Sequence, residues 1–116
     1  MDTEEKKKIV VLSSEMMGSG DDKLGTILMK NFIYSITQLE ELPNTFLLYN
    51  GAVKLACNGS ESLEDLEGLQ ASGVKILCCG TCLKYFGLTD QLAVGEISNM
   101  YTIAETQMDA DLIIRP

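Results

Sequence analysis

Apolar residues in this chain fall into short unbroken runs separated by stretches with three- and four-residue periodicity. Lys8 to Ser13 (KIVVLS), Thr45 to Tyr49 (TFLLY) and Val74 to Cys78 (VKILC) are apolar without alternation, the pattern of strands covered on both faces. Ala93 to Ile97 and Leu112 to Ile114 read as two further strands. Between them, Leu24, Ile27, Leu28, Phe32, Ile36 and Leu39 predict an amphipathic helix with Asp21 or Asp22 at its N-cap and Pro43 at the exit. Val53 to Cys57 reads as a short helical turn after the Asn50-Gly51 turn. A second helix begins at Ser60 or Ser62, with Leu63, Leu66 and Leu69 inward and Glu61, Glu64, Asp65 and Glu67 outward, and Gly73 ends it. A short helix runs to Phe86, and Ser98 to Asp109 forms the last long one.

Strands alternating with helices imply βαβ units, a parallel sheet and right-handed crossovers. In such sheets the ligand crevice lies beyond the carboxyl ends of the strands. Ser14 and Glu15, Asn50 and Gly51, Cys78 and Cys79, and Ser98 and Asn99 all fall at strand exits, so the chemistry is expected there. Residues 1–7 read as a linker-like or disordered N-terminus and 8–116 as one domain; the chain shows no repeat, low-complexity stretch or internal linker.

Composition narrows the chemistry. The 116 residues are 46% hydrophobic, with 17 acids against 9 bases and a net charge of −8. That charge repels phosphate backbones, and no basic stripe offsets it; Lys6 to Lys8 lie beside acids at a solvated start, so nucleic acid is not an expected partner. No apolar run approaches the roughly 20 residues that span a bilayer, and the start does not read as a signal peptide. The expectation is a cytoplasmic protein with no membrane partner and with reduced thiols, in which the Asn58-Gly59-Ser60 sequon is idle. The absence of His excludes Ser-His and Cys-His dyads within the chain, and His-containing zinc or haem sites.

The four cysteines then carry the chemical interest. In Cys79-Gly80-Thr81-Cys82 the first sulfur leaves a strand and enters a helix, where unpaired amides favour a thiolate. Such placement lowers a thiol pKa from about 8.5 into a range of about 3.5–7.5. Cys82, one turn on, can resolve a disulfide or persulfide on Cys79. Cys79 and Cys82 are therefore the candidate catalytic pair, with Ser14, Asn50, Gly51, Gly80, Thr81 and Asn99 as candidate substrate-binding residues. Cys57 and Cys78 read as core packing, with Cys78 pointing away from Cys79.

Competing sites fit less well. A thioredoxin-like centre needs a proline gate, and no Pro lies between Pro43 and Pro116. Zinc held by Cys57, Cys78, Cys79 and Cys82 would require strand neighbours that point apart to share one ion, so no metal is expected. Gly18-Ser19-Gly20 matches neither dinucleotide nor Walker spacing, and Glu15, Asp21 and Asp22 would repel phosphate; no cofactor is expected. Met16 and Met17 either form a lid or subunit contact or tuck beneath their own loop.

Several motifs, in order, resemble the DsrE/DsrF-like family, in particular the C-terminal domain of YedF-type proteins. They are Ser13-Ser14 with Met17-Gly18-x-Gly20, Leu24-Gly25 with Leu28-Met29-Lys30, and Tyr49-Asn50-Gly51 with Val53-Lys54-Leu55. Cys79-Gly80-Thr81-Cys82 and Val94-Gly95 with Asn99-Met100-Tyr101 complete the set. The resemblance runs from about Lys8 to Pro116. It implies a three-layer α/β/α sandwich with a five-stranded, largely parallel sheet, and a homo-oligomer, trimeric or hexameric. It also implies a persulfide carried on the Cys after the third strand, here Cys79, with Cys82 similar to the second Cys of the YedF-type pattern. YedF-type proteins usually carry an N-terminal TusA-like domain with a Cys-Pro-x-Pro motif, which nothing here matches, and the family is linked to selenium metabolism.

The expected function is a sulfur relay, a sulfurtransferase or sulfur carrier exchanging sulfane sulfur with a donor or acceptor protein such as a TusA-like domain. The alternatives are an oligomeric binding or regulatory domain docking through Met16, Met17 and the crevice, or a Cys79–Cys82 redox switch.

Overall fold

The structure, a computed structural model, describes residues 6–116; the first part of the expected linker-like N-terminus, residues 1–5, lies outside the described residues. Five strands and four α-helices alternate: β1 (Lys8–Leu12), α1 (Asp22–Thr37), β2 (Thr45–Leu48), α2 (Leu63–Ala71), β3 (Lys75–Cys79), α3 (Gly80–Tyr85), β4 (Glu96–Ser98), α4 (Met100–Met108) and β5 (Leu112–Ile114). A 3₁₀ segment, Asn50–Ala56, follows β2.

The strands form one sheet in the order β4-β3-β2-β1-β5, every pair parallel. The chain steps in one direction from β1 to β4 and returns through α4 to β5. With right-handed crossovers, α1, α2 and α3 cover one face and α4 the other, giving three layers. Val10, Phe46, Leu47 and Leu48 are wholly excluded from solvent in the central strands, which explains their unbroken apolar runs.

Differences from the sequence reading have local causes. In α1 the buried side is Gly25, Met29, Ile33 and Ile36, whereas Leu24, Ile27, Leu28 and Leu39 of the expected stripe are exposed. The inward face is set by Gly25: a Cβ there would lie 2.8 Å from Met16 Cβ, so the β1–α1 loop packs directly on the helix backbone. Asp21 caps α1, accepting from the Leu24 amide at 2.8 Å.

The fourth strand is shorter and later than Ala93 to Ile97. Leu92 forms an antiparallel bridge with Cys57, and the Ala93 and Val94 amides both donate to the Ala56 carbonyl. Gly95 (φ +82°) then turns the chain into β4, pressed so closely on β3 that a Cβ would sit 2.8 Å from the Ile76 carbonyl oxygen. The last helix starts at Met100 because Ser98 belongs to β4 and Asn99 is its N-cap. β3 extends one residue further than Val74 to Cys78, which makes Cys79 its last residue.

Candidate functional site

Parallel register brings the strand exits to one edge of the sheet. Leu12 pairs with Leu48, Leu48 with Cys78, and Cys79 with Ser98, so Ser14, Asn50, Cys79 and Asn99 all emerge on that edge.

Cys79 is both the last residue of β3 and the N-cap of α3, in extended conformation and only 2% exposed. Gly80 lets α3 start there, since a Cβ would lie 3.0 Å from Ile97 Cγ2 and 3.1 Å from the Ser98 carbonyl oxygen. Cys82, in the first turn of α3, is half-buried and near enough to Cys79 for the two thiols to influence each other's charge. The backbone N–H of Asn50 also donates to Cys82 Sγ, at 3.1 Å. All four cysteines are free thiols.

Burial pushes the Cys82 thiol pKa up, the bond with Cys79 and the neighbouring Cys79 charge add to that, and the Asn50 amide pulls it down. With only six residues, α3 aligns few peptide dipoles. Cys82 is therefore held as a thiol by its surroundings, and its tuning comes from Asn50 and Cys79.

Cys57 and Cys78 lie in the core, as the sequence suggested. Burial, followed by the Cys57 and Cys79 charges, pushes Cys78 up to about 12. Burial also raises Cys57, whose thiol donates to the Val53 carbonyl at 3.3 Å. Among the described residues no group of three or more His, Cys, Asp and Glu is arranged to hold a metal ion.

The other candidate residues divide. Asn50, Gly51 and Gly80 stand with the cysteine pair, and Thr81 is exposed in the first turn of α3. Ser14 and Asn99 serve the backbone: Ser14 Oγ accepts from the Met16 amide at 3.0 Å, and Asn99 Oδ1 from the Thr102 amide at 2.8 Å. Met16 sits against Gly25, the Met17 amide donates to the Gly25 carbonyl at 3.0 Å, and the Met17 side chain packs on the core. Both methionines thus tuck under their loop.

Lys54 is the residue that sequence reasoning named only within a motif. Its ammonium lies 4.5 Å from the Phe86 ring centroid and 3.8 Å from Glu15 Oε1. No local signal marks it, because Glu15 and Phe86 reach it only through the fold. Glu15, Lys54, Cys57, Asn58, Ser60 and Phe86 line a crevice of about 370 Å³, whose lining includes neither Cys79 nor Cys82. A second hollow of about 230 Å³ shares Glu15, Lys54 and Ser60 and extends to Lys30 and Ser62.

No described helix is long and apolar enough to cross a membrane. Residues 26–116 match the DsrE/DsrF-like family. The fold is similar to the crystal structure of the ychN protein from E. coli (TM-score 0.74, 21% identity, 97% of this chain and 100% of that one). It is also similar to MTH1491, a protein of unknown function from Methanobacterium thermoautotrophicum (TM-score 0.70, 21% identity, 97% and 100%). BT1422 from Bacteroides thetaiotaomicron, a conserved protein of unknown function, has a TM-score of 0.63 at 14% identity over 95% of each chain. No curated protein sequence matches the chain.

Proposed function

The chain belongs to the DsrE/DsrF-like family, and from that premise we propose that it relays sulfane sulfur through the Cys79–Cys82 pair. The observation that carries this reading is the placement of Cys79 and Cys82 within one helical turn at the exit of β3, with the Asn50 amide directed at the outer sulfur.

Burial suggests the order of events. Cys82 is half-buried and meets the donor; Cys79, almost wholly enclosed, stores the sulfur. Cys82 Sγ attacks the terminal sulfur of a donor persulfide, RS–SH, giving up its thiol proton as it does so. The bond from Cys82 to that sulfur forms as the donor S–S bond breaks, and RS⁻ departs to take up a proton. Attack by Cys79 Sγ on the same sulfur then gives a Cys79 persulfide, and the proton released by Cys79 restores the Cys82 thiol. Each step is a transfer with no net oxidation. The Asn50 N–H stabilises negative charge on Cys82 whenever that sulfur is the leaving group.

A dithiol switch is the second reading, favoured by the same placement of the two cysteines: loss of two electrons to an oxidant and of two protons to solvent would join Cys79 and Cys82. A TusA-like domain as donor or acceptor, a cytoplasmic location, a trimer or hexamer, and a link to selenium metabolism complete the proposal. The exposed Leu24, Ile27 and Leu28 of α1 offer an apolar surface that oligomerisation could cover.

Mass spectrometry after brief exposure to a persulfide donor tests the relay. We expect +32 Da on Cys82 or Cys79 in the wild type, on Cys82 alone in Cys79→Ser, and none in Cys82→Ser. Loading of Cys79 at the wild-type rate in Cys82→Ser removes the receiving role of Cys82, and no loading anywhere removes the relay.

A further inference from the structure

The sheet ends on β5, and that edge is unguarded. Leu112, Ile113 and Ile114 are 47%, 37% and 39% exposed, with no charge or proline among them. The opposite edge strand, β4, carries Glu96, a charge of the kind that keeps sheet edges from pairing. Among the described residues no strand lies on the outer side of β5, where the strand order stops. An apolar edge without such a guard is a place for another strand.

The backbone fixes how that strand adds. The Leu112 N–H donates to the Lys7 carbonyl, and β5 runs parallel to β1 with Leu112 opposite Lys8 and Ile114 opposite Val10. Residues of a parallel ladder bond to a given neighbour alternately, so Leu112 and Ile114 bond inward to β1. Ile113 therefore turns both its N–H and its carbonyl outward. A residue offering both groups can exchange two hydrogen bonds with an identical residue running the other way, at a Cα separation of about 5.5 Å. The two-fold axis then passes between the two copies of Ile113, and Leu112 faces Ile114 of the other copy.

The charges beside β5 fit the same axis. Counting outward from Ile113, Asp111 of each copy opposes Arg115 of the other. Neither side chain is saturated: Asp111 Oδ2 accepts from the Lys7 amide at 2.8 Å, which leaves Oδ1, and Arg115 gives one N–H to Gln107. A chain with a net charge of −8 thus meets itself here through pairs of opposite sign. Pairing β5 with β4 would repeat head to tail without closing, whereas β5 with β5 consumes the edge and stops.

We infer that a second copy of this chain occupies this edge, β5 pairing antiparallel with β5 about Ile113 and joining two five-stranded sheets into one. The pairing is independent of the sulfur relay and uses a different surface from the exposed side of α1. It permits a dimer, or a hexamer in which it links two trimers, and it forbids a lone trimer.

Sedimentation of the full chain across the micromolar range should show an even number of copies, and Ile113→Pro should halve it. Proline removes the outward N–H alone, so β5 keeps its bonds to β1. Ile113→Val keeps that N–H and should leave the mass unchanged. Asp111→Arg and Arg115→Asp each set like charges opposite one another in the self-pair, and each should weaken association by about ten-fold at low salt. An equal mixture of these two variants restores both pairs of opposite charge and should recover wild-type association. That recovery requires the antiparallel register about Ile113, and it decides the matter if Ile113→Pro fails to fold. A monomer or an odd number of copies in the wild type, an unchanged mass in folded Ile113→Pro, or no gain on mixing the charge variants overturns the pairing.

Discussion

The backbone N–H of Asn50 points at the sulfur of Cys82 from 3.1 Å, and Asn50 is the one described non-glycine residue with positive φ, at 52°. The two facts are connected. A left-handed residue at the exit of β2 turns the chain abruptly into the 3₁₀ segment, and that turn aims the amide across at α3. Asn tolerates this conformation better than other residues with a Cβ, which explains its presence in the Tyr49-Asn50-Gly51 sequence.

Substitution at Asn50 should therefore separate strain from side-chain chemistry. Asn50→Gly keeps the amide and relaxes the backbone, so stability and Cys82 reactivity should stay near wild type. Asn50→Val places a β-branched residue in the left-handed region and should cost about 1–3 kcal/mol in urea denaturation. As its amide moves away, the alkylation midpoint of Cys82 should rise, because that amide lowers the thiol pKa. A Val variant with wild-type stability and a wild-type alkylation profile would show that the amide contact is incidental.

Cys82 should titrate above the ordinary thiol value of about 8.5, through burial first and then through Cys79. Its iodoacetamide rate in the wild type should still be climbing beyond that pH. Cys79→Ser removes the sulfur contact and the like charge, and should move the midpoint down. A midpoint that stays put in Cys79→Ser means that the two sulfurs do not communicate in solution.

The parallel sheet and the position of the cysteine pair at a strand–helix junction were legible in the sequence because each depends on local pattern. KIVVL and TFLL have no polar alternation, and Cys79-Gly80-Thr81-Cys82 sits where a strand meets a helix. The inward face of α1 was not legible: Leu24, Ile27 and Leu28 outweigh Gly25 in any hydrophobic count, yet Gly25 faces in because Met16 must pack there. The upward shift of Cys82 was not legible either, since periodicity does not report burial or the proximity of a second sulfur. Lys54 escaped notice because its partners, Glu15 and Phe86, are distant in sequence.

Glycine geometry offers a test of the fold with an internal control. Gly95→Ala introduces a Cβ at φ +82° and 2.8 Å from the Ile76 carbonyl oxygen, and backbone on both sides leaves little room to yield. A loss of at least about 2 kcal/mol in urea denaturation is expected. Gly68 lies within α2 with nothing within 4 Å of an added Cβ, so Gly68→Ala should stabilise by about 0.5–1 kcal/mol. Equal effects at the two positions would contradict the close approach of β4 to β3.

Alkaline stability should report on Cys78. Its folded pKa is pushed up to about 12 by burial and then by the Cys57 and Cys79 charges, against about 8.5 in an unfolded chain. Between those values the unfolded state releases the proton while the folded state keeps it, so the unfolded state binds fewer protons and stability falls as pH rises. The contribution is fully present below about pH 8.5 and declines from there toward pH 12. Cys78→Val has similar volume and nothing to ionise, so it should flatten this decline. The measurement is the urea midpoint of wild type and variant from pH 7 to pH 10.5. Lysines and tyrosines titrate in both proteins, so the signal is the difference between the two slopes. Parallel slopes would mean that the Cys78 thiol does not distinguish folded from unfolded chain.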